Sequence, residues 1–301
     1  MTEHKFGGDW TEKKLSYLKG YLRAYRQIFT RNERARHLKT WYVDAFAGTG
    51  SRTVSGSTAS GQLSVFEDVY EDTETTEYRD GSAKMALTLA EPFDFYLFIE
   101  KSRARVVELE ETIKRGHADL FPRCDFRHGD ANDVLEAWCK ERDWKRERAV
   151  VFLDPYGMQV EWRTIEALAK TRATDLWYLF PLGVGVSRLL THSGDIEEGW
   201  QRRLDLLFGT TDWRTNFYRL MPSGQADLFG ETRHTVERDA PVAKIEAFIH
   251  GRLEATFVKA AKGQVLRNSK QSPLYLLCFA AANEKGASTA LRIAQDILKK
   301  D

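Results

Sequence analysis

The sequence predicts an α/β protein on a Rossmann-like, mostly parallel sheet of about seven strands, covered by helices on both faces. Three observations carry that expectation. Short apolar runs such as "TWYVDAF", "FDFYLFIEKS" and "AVVFLDPYG" alternate with segments of helical spacing along most of the chain. The runs are apolar throughout rather than at every second residue, which is how strands buried on both faces read. Finally, successive runs deliver an acid at or just beyond their ends: Asp44, Glu100, Asp130 and Asp154.

Each element follows in order. Residues 9 to 31 read as a helix, with Leu15, Leu18, Tyr21, Leu22, Tyr25, Ile28 and Phe29 at helical spacing and Asp9 or Thr11 placed to cap it. "TWYVDAF" is a strand that ends at Asp44 and breaks into Phe46-Ala47-Gly48-Thr49-Gly50. Residues 51–80 are rich in Ser, Thr and Gly and then acidic ("FEDVYEDTETTEYRD"), the composition of an inserted loop. A short helix over 82–90 precedes the strand "FDFYLFIE", and a charged helix over 103–115 follows it. "CDFRHGDAND", ending near Gly129-Asp130, and "AVVFLDPYG" hold the third and fourth strands, each followed by a helix, and "DLWYLFPLG" holds the fifth. Residues 184–235 break the rhythm with helical pieces and the aromatics Trp200, Phe208, Trp213, Phe217, Tyr218 and Phe229, and read as a helical cap. A helix over "AKIEAFIHGRLEATF", two strands within "VLRNSKQSPLYLLCFAAAN" and a last amphipathic helix complete the chain. No linker divides it, so 1–301 is expected to be one domain, with an N-terminal helical segment over 1–40.

Composition narrows the class. Of 301 residues 42% are hydrophobic and 12% aromatic, with eight tryptophans, ample for a core. No apolar run approaches the roughly 20 residues of a membrane helix, and "MTEHKFGGDW" lacks the apolar centre of a signal peptide. Cys124, Cys139 and Cys278 are odd in number and widely spaced, which suits reduced thiols in the cytoplasm and neither a zinc site nor a disulfide framework. His117 and His128 have no partner at metal-ligand spacing, so no metal is expected. The net charge is +1, yet Lys13, Lys14, Lys19, Arg23, Arg26, Arg31, Arg34, Arg36 and Lys39 crowd the first segment against only Glu12 and Glu33. That cluster is either a solvated face or a phosphate-binding surface.

The acids point to a ligand. Open parallel sheets bind ligands at the carboxyl ends of their strands, where the strand order reverses. A dinucleotide fingerprint would need a third glycine and a helix opening directly from the turn. "DAFAGTGSRT" has neither. S-adenosylmethionine, which has no pyrophosphate, fits better. Its amino-acid end would lie against the turn (Asp44, Phe46, Ala47, Gly48, Gly50), its ribose hydroxyls against Glu100 beside Lys101, and its adenine amine against Asp130 beside Ala131.

"VDAFAGTG", "FIEKS", "HGDAND" and "FLDPYG", in this order, resemble class I S-adenosylmethionine-dependent methyltransferases. With "DWTEKKLSYLKGYLRAY", "GSAKMAL", "VFLDPYGMQVEW" and "PLYLLCFAAAN", the resemblance narrows to the three-Cys-motif partner (TcmP) family. That likeness covers most of the chain and implies a class I fold, S-adenosylmethionine as cofactor and a cysteine-motif protein as partner. "DPYG" is similar to the "D/N-P-P-Y" segment of enzymes that methylate exocyclic base nitrogens and to the "D-P-F-G" of tRNA guanine-N2 methyltransferases. Such an amine is a poor nucleophile because its lone pair is delocalised into the ring. Acceptors aimed at its hydrogens, the Asp154 carboxylate and the Pro155 carbonyl, favour the charge that develops on it. Tyr156 is placed to stack on the base. Gly157 stands where the adenine enzymes carry an aromatic, which shifts or removes that stacking. The expected activity is N-methylation of a base in nucleic acid or a nucleotide-like substrate. The alternatives are a non-catalytic partner that retains the fold, and methylation of a small molecule or protein.

Overall fold

The computed structural model describes residues 9–48, 81–226 and 232–299, without side chains for Asp9, 222–226 and 232–234. Gly50 and the loop expected over 51–80 lie outside the described residues.

Strands β1 (Lys39–Asp44), β2 (Phe95–Glu100), β3 (Cys124–His128), β4 (Glu147–Leu153) and β5 (Thr174–Phe180) are all parallel where they pair. Two later strands, β8 (Lys259–Arg267) and β9 (Pro273–Ala281), extend the same sheet, in the order β3-β2-β1-β4-β5-β9-β8. β9 runs antiparallel to both β5 and β8, so it enters between strands that point the same way. The sheet is therefore the Rossmann-like, mostly parallel seven-stranded one that the sequence predicts. The strand order reverses between β1 and β4, and their carboxyl ends are the place for a ligand.

Strand periodicity explains the two layers. Successive side chains point to opposite faces. Trp41 and Val43 of β1, and Ala149, Val151 and Leu153 of β4, enter one core, whereas Tyr42, Val150 and Phe152 enter the other. The first core takes helices α4 (Ala131–Glu141), α5 (Trp162–Lys170) and α8 (Val242–Thr256), through residues such as Trp138, Ile165 and Ile249. The second takes α1 (Asp9–Arg31), α2 (Gly81–Leu87), α3 (Arg103–Gly116) and α9 (Ala287–Leu298), through Tyr21, Ala83, Ile113 and Ala294.

Helix α1 lies along this second face from one sheet edge to the other. Lys14 reaches Asp154, beyond the carboxyl end of β4. Tyr21 reaches Asp175 near the start of β5, and Arg26 reaches Thr40 and Asp94 near the starts of β1 and β2. The 12 residues from Lys14 to Arg26 rise by roughly 18 Å at helical pitch, about the length of a six-residue strand. Thr11, expected as a cap, lies inside the helix, fully buried.

The segment after β5 departs from a purely helical cap. A π-helical turn over Leu182–Val186 leads to α6 (Glu198–Phe208) and α7 (Trp213–Phe217), and then to an antiparallel hairpin of β6 (Tyr218–Ala226) and β7 (Thr232–Arg238). Alternation in "TRHTVER" and the residues of "YRLMPSGQA" suit a two-stranded ribbon, a period that the helical reading of the aromatics overrode. Phe208, Trp213 and Phe217 are core residues. At its base, the Arg238 guanidinium donates to the carbonyls of Ser187 and Leu190 and to the Ser187 hydroxyl, which fixes the hairpin to the segment beyond β5.

Candidate functional site

Asp44 closes β1 and is fully buried. Its Oδ2 accepts from the Ser82 hydroxyl at 2.6 Å and from Tyr42 at 3.3 Å, and its Oδ1 from the Phe46 amide at 3.4 Å. Burial raises its pKa to about 6, the Ser82 hydrogen bond opposes the rise, and the nearby Asp154 charge adds to it. Asp44 and Asp154 are thus electrostatic neighbours across the switch point. The turn beyond Asp44 stays tied to the sheet, since the Ala47 amide donates to the Ile99 carbonyl at 3.0 Å. Gly48 sits at φ 64°, in the left-handed region that glycine occupies without cost. Ala47 is buried, and the half-buried Phe46 packs on the first core.

Glu100 closes β2 and is also buried. Its Oε2 accepts from the Gly48 amide at 3.3 Å and its Oε1 from the Ser102 amide at 2.9 Å, while Arg105 stands 4.0 Å away. The structure therefore joins the glycine turn to Glu100 by a hydrogen bond. Each carboxylate oxygen has a second lone pair, so two amides do not exhaust its capacity to accept. Lys101, next along, is exposed.

Asp130 follows β3 and caps α4, its Oδ1 accepting from the Asn132 amide at 2.9 Å. Asp130 is exposed and Ala131 is buried. The sequence reading missed Asn132, which is buried and joins two loops of the site edge. Its Nδ2 donates to the Gln159 carbonyl at 3.0 Å, and its Oδ1 accepts from the Glu161 amide at 2.9 Å and the Thr164 hydroxyl at 2.8 Å. Gln159 in turn accepts from the Tyr156 amide at 2.9 Å.

Asp154 and Pro155 are buried and Tyr156 is half-buried. Gly157 at φ 64° turns the chain there, where an aromatic would be strained. The loop continues to the buried Met158, which packs close to Gly185 of the π-helical turn. The decisive contact is with α1: the Lys14 ammonium donates to Asp154 Oδ2 at 2.6 Å, with Lys14 only 3% and Asp154 7% exposed. The same ammonium lies 5.4 Å from the Trp10 ring centroid and 5.9 Å from that of Phe152. Sequence grouped Lys14 with a solvated or phosphate-binding face; the structure buries it at the ligand edge.

The strand ends thus bring Asp44, Phe46, Ala47, Gly48, Glu100, Asp130, Ala131, Asp154, Pro155 and Tyr156 to one edge. No protein-family model matches the chain, and no curated protein matches it. Among solved structures, a Legionella pneumophila protein of family DUF519 is similar at 11% identity and TM-score 0.45, over 98% of this chain and 92% of that one. Trm1 from Pyrococcus horikoshii, in complex with S-adenosyl-L-methionine, is similar at 10% identity and TM-score 0.36, over 95% of this chain and 71% of its own. The glycopeptide N-methyltransferase MtfA, complexed with sinefungin, is similar at 10% identity and TM-score 0.36, over 86% and 93%.

Among the described residues no group of three His, Cys, Asp or Glu side chains is placed to hold a metal ion. Cys124, Cys139 and Cys278 are free; burial pushes the thiols of Cys124 and Cys139 up to about 12 and that of Cys278 higher still, away from reactivity. No helix among the described residues is long and apolar enough to cross a membrane.

Proposed function

We propose that this chain is a cytoplasmic, TcmP-like methyltransferase that uses S-adenosylmethionine to methylate a nitrogen of a nucleobase, in nucleic acid or a nucleotide-like substrate. The observation that carries the reading is Glu100. It is a buried carboxylate at the second strand end, held by two backbone amides with lone pairs to spare, and it suits a ligand that presents hydroxyl donors. Asp44 and the Gly48 turn would hold the amino-acid end, Glu100 the ribose and the exposed Asp130 the adenine edge, with Lys101 and Ala131 beside them. The cofactor, when bound, supplies an activated methyl group. Asp154 and the Pro155 carbonyl orient the acceptor nitrogen and favour its developing charge. The buried ring of Trp10 and the half-buried Tyr156 limit water at that edge, and the fixed loop 154–158 contributes mainly by proximity.

One feature favours a role for a protein partner, such as the cysteine-motif protein that the family resemblance implies. Leu220, 69% exposed, lies opposite Val236, 42% exposed, on the β6–β7 hairpin. A scaffold that keeps the fold without turnover would use the same surface.

Calorimetry tests the cofactor reading. S-adenosylmethionine and S-adenosylhomocysteine are expected to bind with one-to-one stoichiometry and NAD not to bind. A chain blind to both, or one that binds NAD instead, contradicts the proposal.

A further inference from the structure

The buried ammonium of Lys14 has no place in the reading above, which needs only a carboxylate at position 154. A lysine buried to this degree is costly unless it is paired, and here the partner is the acid of the methyl-transfer motif itself. Lys14 comes from a helix 140 residues away in sequence, and its ammonium lies over the Trp10 and Phe152 rings, 5.4 and 5.9 Å from their centroids. Trp10 is in turn stacked on Tyr275 of β9, with ring centroids 5.1 Å apart. The ammonium is therefore buried against packed rings and an acid, and is not a surface charge that happens to reach inward.

We propose that Lys14 is a positioning residue that balances Asp154 and thereby selects an uncharged nitrogen acceptor, a base amine, over an alkylammonium. The inference rests on the methyltransferase reading. An alkylamine is protonated near neutral pH, so a site that methylates one must attract a cation and then remove its proton. An acid whose charge is matched at 2.6 Å pulls less on a cation than an unpaired carboxylate would, and the ammonium beside it offsets part of the attraction that the neighbouring Asp44 adds. A base amine is neutral and needs only a hydrogen-bond acceptor held in one orientation, which the Lys14 contact to Oδ2 provides. In the transfer the nitrogen forms its bond to the methyl carbon with its own lone pair. The carbon–sulfur pair returns to sulfur, and one proton leaves the nitrogen for solvent.

The first test needs no acceptor. Sinefungin carries an amine-bearing carbon where S-adenosylmethionine carries its sulfonium methyl, whereas S-adenosylhomocysteine is neutral there. Lys14→Met keeps an unbranched apolar stem in the buried position and removes the charge. It is expected to raise the preference for sinefungin over S-adenosylhomocysteine about tenfold by calorimetry, and Lys14→Arg to restore the wild-type ratio. Asp154→Asn is expected to lower that preference. Because each ratio is taken within one variant, partial loss of stability does not move it. A ratio unchanged in Lys14→Met overturns the role of Lys14 while leaving the methyltransferase reading intact. Wild-type protein that binds neither ligand overturns that reading itself.

The second test reads the acceptor. With tritiated S-adenosylmethionine and extract of a strain lacking the protein, label is expected in the nucleic-acid or nucleotide fraction, as an N-methylated base. Label on an alkylamine of protein or small molecule, or no label from protein that binds the cofactor, overturns the proposed selection.

Discussion

Tyr21 donates a 2.7 Å hydrogen bond to Asp175 with both groups sealed between α1 and the sheet. Burial raises the Asp175 pKa to about 7, against opposing contributions from the Tyr21 hydrogen bond and the Arg148 charge. The sign of its effect on stability follows. Between the ordinary value of 3.8 and about 7, the folded chain binds this proton and the unfolded chain does not. Stability is therefore greatest below the lower value and falls as pH rises through that window. Asp44, raised to about 6, acts in the same direction.

Asp175→Asn removes that penalty and keeps an oxygen to accept from Tyr21. Urea unfolding at pH 8 is expected to show the variant more stable than wild type, on the order of 2 kcal/mol, with the gap closing towards pH 4. A gap that does not change with pH would show that Asp175 is not protonated in the fold.

Glu100→Ala tests the ribose site. Loss of a charged hydrogen-bond acceptor is expected to weaken S-adenosylhomocysteine by roughly 1.5–3 kcal/mol, read as the calorimetric dissociation constant. Wild-type affinity in this variant would move the ribose away from the second strand end.

Asn132→Ala leaves the Thr164 hydroxyl, the Glu161 amide and the Gln159 carbonyl without their buried partner. The expected cost is about 3 kcal/mol or more by chemical denaturation, from a penalty of about 1–3 kcal/mol for each of the three polar groups left unsatisfied. A change under about 0.5 kcal/mol would show that the two loops do not depend on Asn132.

Gly183 lies in the π-helical turn, where a Cβ would collide with the Pro273 carbonyl oxygen of β9. Since backbone and not a side-chain tip must yield, Gly183→Ala is expected to destabilise by about 1–3 kcal/mol, again by denaturation. An unchanged midpoint would mean that the turn and β9 separate freely.

Much of this was legible before the structure, because it depends on local pattern. The strands through Val43, Leu97 and Val151 were visible as apolar runs, and the acids at their ends as a series. Lys14 and Arg26 were not, because a helix periodicity reads only apolar residues as inward. Their buried ends are set by acids distant in sequence, Asp154 for Lys14 and Asp94 for Arg26. A charge reversal at Arg26 would thus disturb the fold before it could report on phosphate contacts; the exposed Arg23 is the better probe of the basic face. Ser82 was present in the quoted "GSAKMAL", but only the fold shows that its hydroxyl faces Asp44. Asn132 stands one position into a helix start, and nothing local in "HGDAND" marks it as a link to α5.

The most direct measurement is methyl transfer by wild type and Asp154→Asn, with tritiated S-adenosylmethionine and extract lacking the protein. Asparagine is the proper substitution, since alanine would leave the buried Lys14 ammonium unpaired and confound activity with folding. Affinity for the uncharged product S-adenosylhomocysteine is expected to stay within a few-fold while transfer falls by about a hundredfold or more, the scale of losing one preorganised polar group. Equal labelling of the same species by both proteins would contradict it, and would leave Asp154 a structural role only, in pairing with Lys14.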